Sequence, residues 1–257
     1  MEILDLVVLS AGQGTRVGSL VPKQFMTLAD KPVIIHGIEV FERLPYIGTK
    51  YVVCAHDQMG QMREVLSEYG ISNWVLVEGG EVRSASVRHG LAQVRTERVI
   101  THNAVMPLVT ERLVNQVVTE DYDCVTTVTP LEHNLCEGED FGANIVPRRG
   151  LKLINTPQSF RTQIFRDCHE KAAREGYIPA SDCELMLHYG CQVRFVPGIP
   201  ENFKITVPLD LIIAEAILKS RAPVSGRRQT PADVTWAARR SRYAGRIENV
   251  AAPKQSQ

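Results

Sequence analysis

Residues 3–25 read I-L-D-L-V-V-L-S-A-G-Q-G-T-R-V-G-S-L-V-P-K-Q-F, and this stretch decides the fold. Its first eight residues are a short Val/Leu-rich run that ends at once in glycines, the pattern of a strand buried on both faces. Gly12, Gly14 and Gly18 let the chain turn tightly and bring backbone N–H groups close to an anion. Arg16 and Lys23 add two cations within reach of a polyphosphate. The spacing is not Walker A, which needs Lys-Ser/Thr after the glycines. Nor is it the dinucleotide G-x-G-x-x-G, because Gly18 falls one residue late and Arg16 intrudes. Glycine, arginine and lysine in this order after a buried strand point to phosphate binding. In an open α/β sheet such a loop lies beyond the carboxyl ends of the strands.

Downstream, the same rhythm repeats. Pro32 opens an apolar helix that runs to Leu44 and the Pro45 break. A strand follows at 49–55, then a polar helix at 58–69 stopped by Gly70, and a strand at 73–78. A glycine pair leads into a helix at 84–94, followed by a strand at 98–104, a helix at 111–120 and a strand at 123–130. Alternating strands and amphipathic helices predict an α/β fold: a mostly parallel sheet with helices on both faces. After Pro130 the rhythm breaks. Residues 131–156 are polar, carry no helical stripe and read as an arm rather than another βα unit. Helices resume at 162–175 and 182–189, then strands at 192–198 and 203–206, and a last helix at 209–219.

The composition sets outer bounds. With 257 residues, 44% of them hydrophobic and 23% charged, the chain can bury a large core. Lys+Arg and Asp+Glu both number 29, so no global charge suggests nucleic acid or an anionic membrane. The longest apolar runs are too short to span a bilayer. An acid at position 2 and no basic region before the first apolar run argue against a signal peptide. The six cysteines form no C-x-x-C pair, which fits reduced thiols better than disulfides or zinc. A cytoplasmic protein is expected. Arg221–Gln257 holds eight basic and two acidic residues, so we read residues 1–220 as the domain and 221–257 as a basic extension. The histidines show no ligand spacing with the cysteines, and no G-x-S-x-G elbow accompanies Ser84 or Ser86.

The loop G-x-G-x-R with P-K-Q-F resembles that of the cytidylyltransferases acting on polyol phosphates, whose best-known members use methylerythritol 4-phosphate and ribitol 5-phosphate. The likeness continues at E-G-G-E-V-R-S-A-S-V (78–87), T-H-N-A-V-M-P-L-V-T (101–110), R-R-G-L-K-L-I-N-T-P-Q-S-F (148–160) and N-F-K-I-T-V-P-L-D-L (202–211). It covers residues 3 to 220 in collinear order. The resemblance implies a Rossmann-like nucleotidyltransferase fold with a protruding dimerisation arm. It implies that Ser10, Ala11, Gly12 and Gly14 line CTP with Ala104, while Gly80 and Ser86 read the cytosine edge. Arg16, Lys23 and Lys204 would hold the triphosphate and the charge that develops at the α-phosphorus, and Thr206 would orient the Lys204 loop. Arg148 and Thr156, on the arm, would reach into the neighbouring subunit to hold the polyol phosphate, giving a homodimer with shared sites. Mg²⁺ would be the cofactor, and CTP and a small polyol phosphate the partners.

At two positions the chain departs from the family pattern H-D-A-x-R-P. Asn103 stands where the family's metal-binding Asp would be, and Met106 replaces an arginine. Asn103 offers a carbonyl oxygen but no charge, whereas Mg²⁺ prefers carboxylate. The expected activity is CMP transfer from CTP to a polyol phosphate. The alternative is a catalytically weakened nucleotide-binding homologue acting as a partner subunit. A nicotinamide oxidoreductase is disfavoured by the missing fingerprint.

Overall fold

In the computed structural model, which describes residues 2–12 and 21–221, the opening run becomes strand β1 (Leu4–Ser10), an interior strand of the sheet. Two short strands, β2 (Thr27–Leu28) and β3 (Lys31–Pro32), precede helix α1 (Val33–Glu42). There follow β4 (Ile47–Cys54), α2 (Met59–Glu68), β5 (Trp74–Glu78), α3 (Arg83–Gln93), β6 (Arg98–Asn103), α4 (Glu111–Val118) and β7 (Cys124–Pro130). The chain continues through β8 (Leu135–Gly138), β9 (Gly142–Val146), β10 (Lys152–Arg161), α5 (Thr162–Glu175), α6 (Asp182–His188), β11 (Val193–Pro197) and α7 (Pro208–Arg221). The main sheet has the order β11-β7-β10-β6-β1-β4-β5. Every neighbouring pair is parallel except the two that involve β10.

The period of two along β1 explains the two layers of helices. Leu4, Leu6 and Val8 point into one core, shared with Ile34, Ile38 and Phe41 of α1, Met62 and Leu66 of α2 and Val114 of α4. Val7 points the other way, into a core with Val87 and Leu91 of α3, Phe165 and Cys168 of α5 and Met186 of α6. A strand covered on both faces has no polar side to show, which is why the run reads as continuously apolar. Asp5 interrupts it at no cost in unpaired charge. Its buried carboxylate accepts the backbone N–H groups of Thr49 and Arg95 at 2.9 and 2.8 Å.

The alternation up to Pro130 and the mostly parallel sheet agree with expectation, and three details do not. The arm contains the β8–β9 hairpin, but its last part is the outer half of β10, a ten-residue strand where none was expected. That strand is exposed at Lys152–Ile154 and buried from Thr156 onward, where it slots antiparallel between β6 and β7. Thr156 therefore belongs to the sheet and not to the arm. The expected strand at 203–206 is extended chain without a ladder, with the Ile205 N–H donating to the Val105 carbonyl at 2.9 Å. The described residues up to Lys219 form one compact unit. All six cysteines are free, and among the described residues no helix is long and apolar enough to cross a membrane.

Candidate active site

A cleft of about 590 Å³ opens at the carboxyl ends of β1 and β6. Ser10, Ala11, Gly12, Lys23, Gly80, Ser86, Asn103, Lys204 and Thr206 all line it, as do the unforeseen Gln24, Glu81 and Arg83. Gly14 and Arg16 lie outside the described residues, as does the basic extension from residue 222 onward.

One wall is built by the P-K-Q-F motif. Residues Lys23–Phe25 form a single 3-10 turn, and the Gln24 amide donates to the Ser10 carbonyl at 2.9 Å and to Gln58 Oε1 at 2.6 Å. The turn is thus pinned to the end of β1. The adjacent Lys23 is buried, and its ammonium donates to the Thr206 carbonyl at 2.9 Å. Thr206 is fixed in turn by Asp210, in the first turn of α7, whose Oδ2 accepts the Thr206 N–H, the Thr206 hydroxyl and the Val207 N–H at 2.6, 2.7 and 2.9 Å. Burial acts to raise the Asp210 pKa, but these bonds and the Lys23 charge outweigh it and hold the carboxyl below its ordinary value. The result brings Lys23, Lys204 and Thr206 to one side of the cleft.

The opposite wall is the turn between β5 and α3. Here the glycines are required by close approach: a Cβ on Gly79 would lie 2.7 Å from Ala11 Cβ, and one on Gly80 2.5 Å from Ala85 Cβ. The Ser86 hydroxyl staples the turn, accepting the Gly80 N–H at 3.1 Å with the Gly80 and Val82 carbonyls each 3.3 Å away. Arg83 stands on the rim, held by two parallel 2.7 Å bonds to the buried carboxylate of Asp182. Burial alone would lower the Arg83 pKa, and Asp182 raises it above its ordinary value. Nothing in the sequence signals this contact, which spans 99 positions.

At the floor, the end of β6 carries Asn103. Its amide nitrogen lies 3.8 Å from Met106 Sδ, and its backbone N–H donates to the Thr156 hydroxyl at 3.2 Å. Ala104 is buried and its N–H donates to the Leu9 carbonyl, so it sits behind the cleft and Val105 lines it instead. Arg148 sits on the arm, exposed, with its guanidinium donating to the Glu132 carbonyl, and does not line the cleft of its own chain. Thr156 contradicts its expected place. It is buried beneath the floor, its hydroxyl between His102 and Asn103, because β10 enters the sheet there.

Glycine turns on one wall, lysines on the other and the carboxyl ends of β1 and β6 between them define a Rossmann-like α/β protein of the nucleotidyltransferase class. The comparisons narrow this. The chain matches the family described as IspD: 2-C-methyl-D-erythritol 4-phosphate cytidylyltransferase over residues 4–220, and it belongs to that family. It is 34% identical over 227 residues to a ribitol-5-phosphate cytidylyltransferase of Vibrio parahaemolyticus, covering 84% of this chain and 95% of that one. It is likewise 34% identical over 235 residues to a 2-C-methyl-D-erythritol 4-phosphate cytidylyltransferase of Geotalea uraniireducens, covering 86% and 98%. The crystal structure of 2-C-methyl-D-erythritol 4-phosphate cytidylyltransferase from Thermus thermophilus aligns with a TM-score of 0.69 at 27% identity, over 85% of this chain and all of that one. The resemblance drawn from the motifs holds over the length first given to it.

Proposed function

We propose that this chain transfers CMP from CTP to a polyol phosphate, releasing pyrophosphate and a CDP-polyol. The observation that carries the reading is the meeting of Lys23, Lys204 and Thr206 with the Gly80–Ser86 turn in one cleft. Lysines on one wall can hold the triphosphate, and a tight glycine turn on the other leaves room for a small base. The acceptor is the phosphate of methylerythritol 4-phosphate or ribitol 5-phosphate, the substrates that name the relatives.

The chemistry asks little of a general base. A phosphate monoester has its second pKa near about 6 and is ionised at neutral pH. What the protein must do is align the attacking oxygen with the α-phosphorus and stabilise the added charge. Lys23, fixed by Thr206 and hence by Asp210, supplies a pre-oriented cation on this scheme, and Lys204 a second. A bound Mg²⁺ fits the protein's own donors poorly. Among the described residues, the oxygen donors at the β6 end reduce to the Asn103 amide, Glu81 is the sole carboxylate in the lining, and no cluster of three acidic, His or Cys ligands exists.

The arm supports a homodimer. Phe141, Ile145, Leu153 and Ile154 are exposed on it, at 88%, 63%, 50% and 41%, and a second copy of the chain would cover them. Arg148 on the same arm would then serve the partner's acceptor. Six free cysteines suit a reducing cytoplasm. A second reading, a homologue that binds nucleotide but turns over slowly, is favoured by Asn103 and Met106 in the floor. Pyrophosphate release with CTP and each of the two acceptors decides between them. Turnover with either supports the transferase. CTP binding with no turnover supports the second reading, and equal affinity for ATP or GTP sinks the cytidylyl assignment. Light scattering that gives a monomer removes the shared-site part.

A further inference from the structure

The hydrogen inventory under the cleft floor can be worked out from four residues. His102 is buried on β6, with Nε2 3.0 Å from the Met106 carbonyl and Nδ1 3.0 Å from Thr156 Oγ1. The ring is buried with a carbonyl and a hydroxyl as its polar partners and, among the described residues, no carboxylate paired with it, so it is neutral and carries a single N–H. A carbonyl can only accept, so the proton sits on Nε2 and Nδ1 offers a lone pair. The Thr156 hydroxyl must therefore donate to Nδ1, a far better acceptor than the Met106 thioether 3.1 Å away. Having spent its one hydrogen, the same oxygen accepts the Asn103 N–H at 3.2 Å. Thr156 is also a second anchor: its carbonyl accepts the buried Asn202 amide at 2.7 Å, two residues before Lys204.

We infer that Thr156 is a positioning residue for the cleft of its own subunit, its hydroxyl relaying from His102 to the backbone of Asn103, and not a donor to a substrate phosphate in a neighbouring subunit. It has no hydrogen left to give a phosphate, and it is only 4% exposed. The chain Met106 carbonyl–His102–Thr156–Asn103 sets the floor, while the Thr156 carbonyl and Asn202 set the Lys204 loop. One residue thus couples two walls of the site.

The test rests on the transferase reading and is arranged so that the two can fail separately. Thr156→Val keeps the branched shape and deletes the hydroxyl. It should lower kcat/KM roughly tenfold, mainly through kcat, and Thr156→Ser should recover most of the loss. Mixed dimers then decide which subunit is served. Thr156→Val mixed with Lys23→Ala should show no gain over Thr156→Val alone, because each subunit's own site then carries one of the two lesions. Arg148→Ala mixed with Lys23→Ala, the control, should regain activity. If that control also stays silent, the mixtures assign no subunit and the histidine spectra below carry the test. Undiminished turnover in Thr156→Val overturns the inference, as does rescue of its mixture with Lys23→Ala. A third readout needs no turnover: ¹⁵N spectra of the histidine side chains in the unmodified protein at pH 7. They should show His102 neutral with its proton on Nε2; a proton on Nδ1 overturns the relay even if Thr156→Val fails to fold.

Discussion

Lys23 and Thr206 stand 183 positions apart, yet the Lys23 ammonium donates to the Thr206 carbonyl at 2.9 Å. This bond closes the cleft, because it joins the loop leaving the first strand to the loop entering the last helix. It also shows why a lysine at position 23 needs Asp210, which never reaches the cleft. The carboxylate holds Thr206 by its N–H and hydroxyl, so that the carbonyl is left facing the ammonium.

Removing the Lys23 charge should act on turnover before it acts on folding. Lys23→Ala deletes a charge-assisted contact to a triphosphate, typically about 1.5–3 kcal/mol. Steady-state pyrophosphate release should fall by about tenfold or more while far-UV circular dichroism is unchanged. Full activity in this variant would reduce Lys23 to a tie between loops.

Arg83 and Asp182 offer a separate test of the opposite wall. Breaking a fully buried pair costs about 3–5 kcal/mol, but the Arg83 side chain is 38% exposed, so solvent screening lowers the expectation to about 1–3 kcal/mol. A double-mutant cycle of Arg83→Met and Asp182→Asn in urea should return a coupling of that size. Additive effects would mean that the two parallel bonds do not hold the rim in solution.

Most of the scaffold was legible because β1 and its neighbours obey simple periods. Apolar runs ending in Gly or in polar turns fixed β1, β4, β5, β6 and β7, and Pro32 and Gly70 punctuated the helices between. β10 escaped because its two halves have different environments. Lys152–Ile154 face solvent while Thr156–Phe160 are buried, and Pro157 in the middle argues against a central strand. The same cause hid the place of Thr156. Motif reading singled out Lys23, Gly80, Ser86, Lys204 and Thr206, which meet in one cleft, since each sits in a contiguous phrase of sequence. Arg83 and Asp182 could not be paired that way, because no local pattern marks a contact 99 residues long.

His169 predicts how the fold responds to acid. It is buried against Phe165, with Asp182 3.8 Å from Nε2. Burial drives its pKa from 6.5 down to about 4, against the pull of Asp182. The unfolded chain therefore takes up the proton first. Stability from the neutral ring is present above pH 6.5 and falls as the pH drops toward 4, by roughly 3 kcal/mol in total. Urea midpoints between about pH 7.5 and 4.5 should decline, and His169→Gln should flatten the decline over that window. An unchanged slope in the variant would place the acid sensitivity elsewhere.

The last prediction concerns Asn103 and the metal that accompanies CTP. Asn and Asp have nearly the same shape, so Asn103→Asp changes the floor of the cleft by one negative charge and by the loss of the amide contact to Met106 Sδ. Two unit charges about 4 Å apart interact by roughly 4 kcal/mol at an effective dielectric of 20, before desolvation is subtracted. On the proposed function, with an amide at this position a Mg²⁺ ion would be held chiefly by the triphosphate, and a high Mg²⁺ concentration should be needed for full rate. The carboxylate should lower the concentration that gives half-maximal rate, or raise turnover outright if the native protein is slow. Met106 sets the size of the gain, since the thioether cannot stabilise the new charge and the carboxylate will turn toward the lysines or the metal. The measurement is a Mg²⁺ titration of both proteins at saturating CTP. Superimposable curves would place Asn103 outside the metal's reach and return it to the role that its backbone N–H already fills, a partner for Thr156.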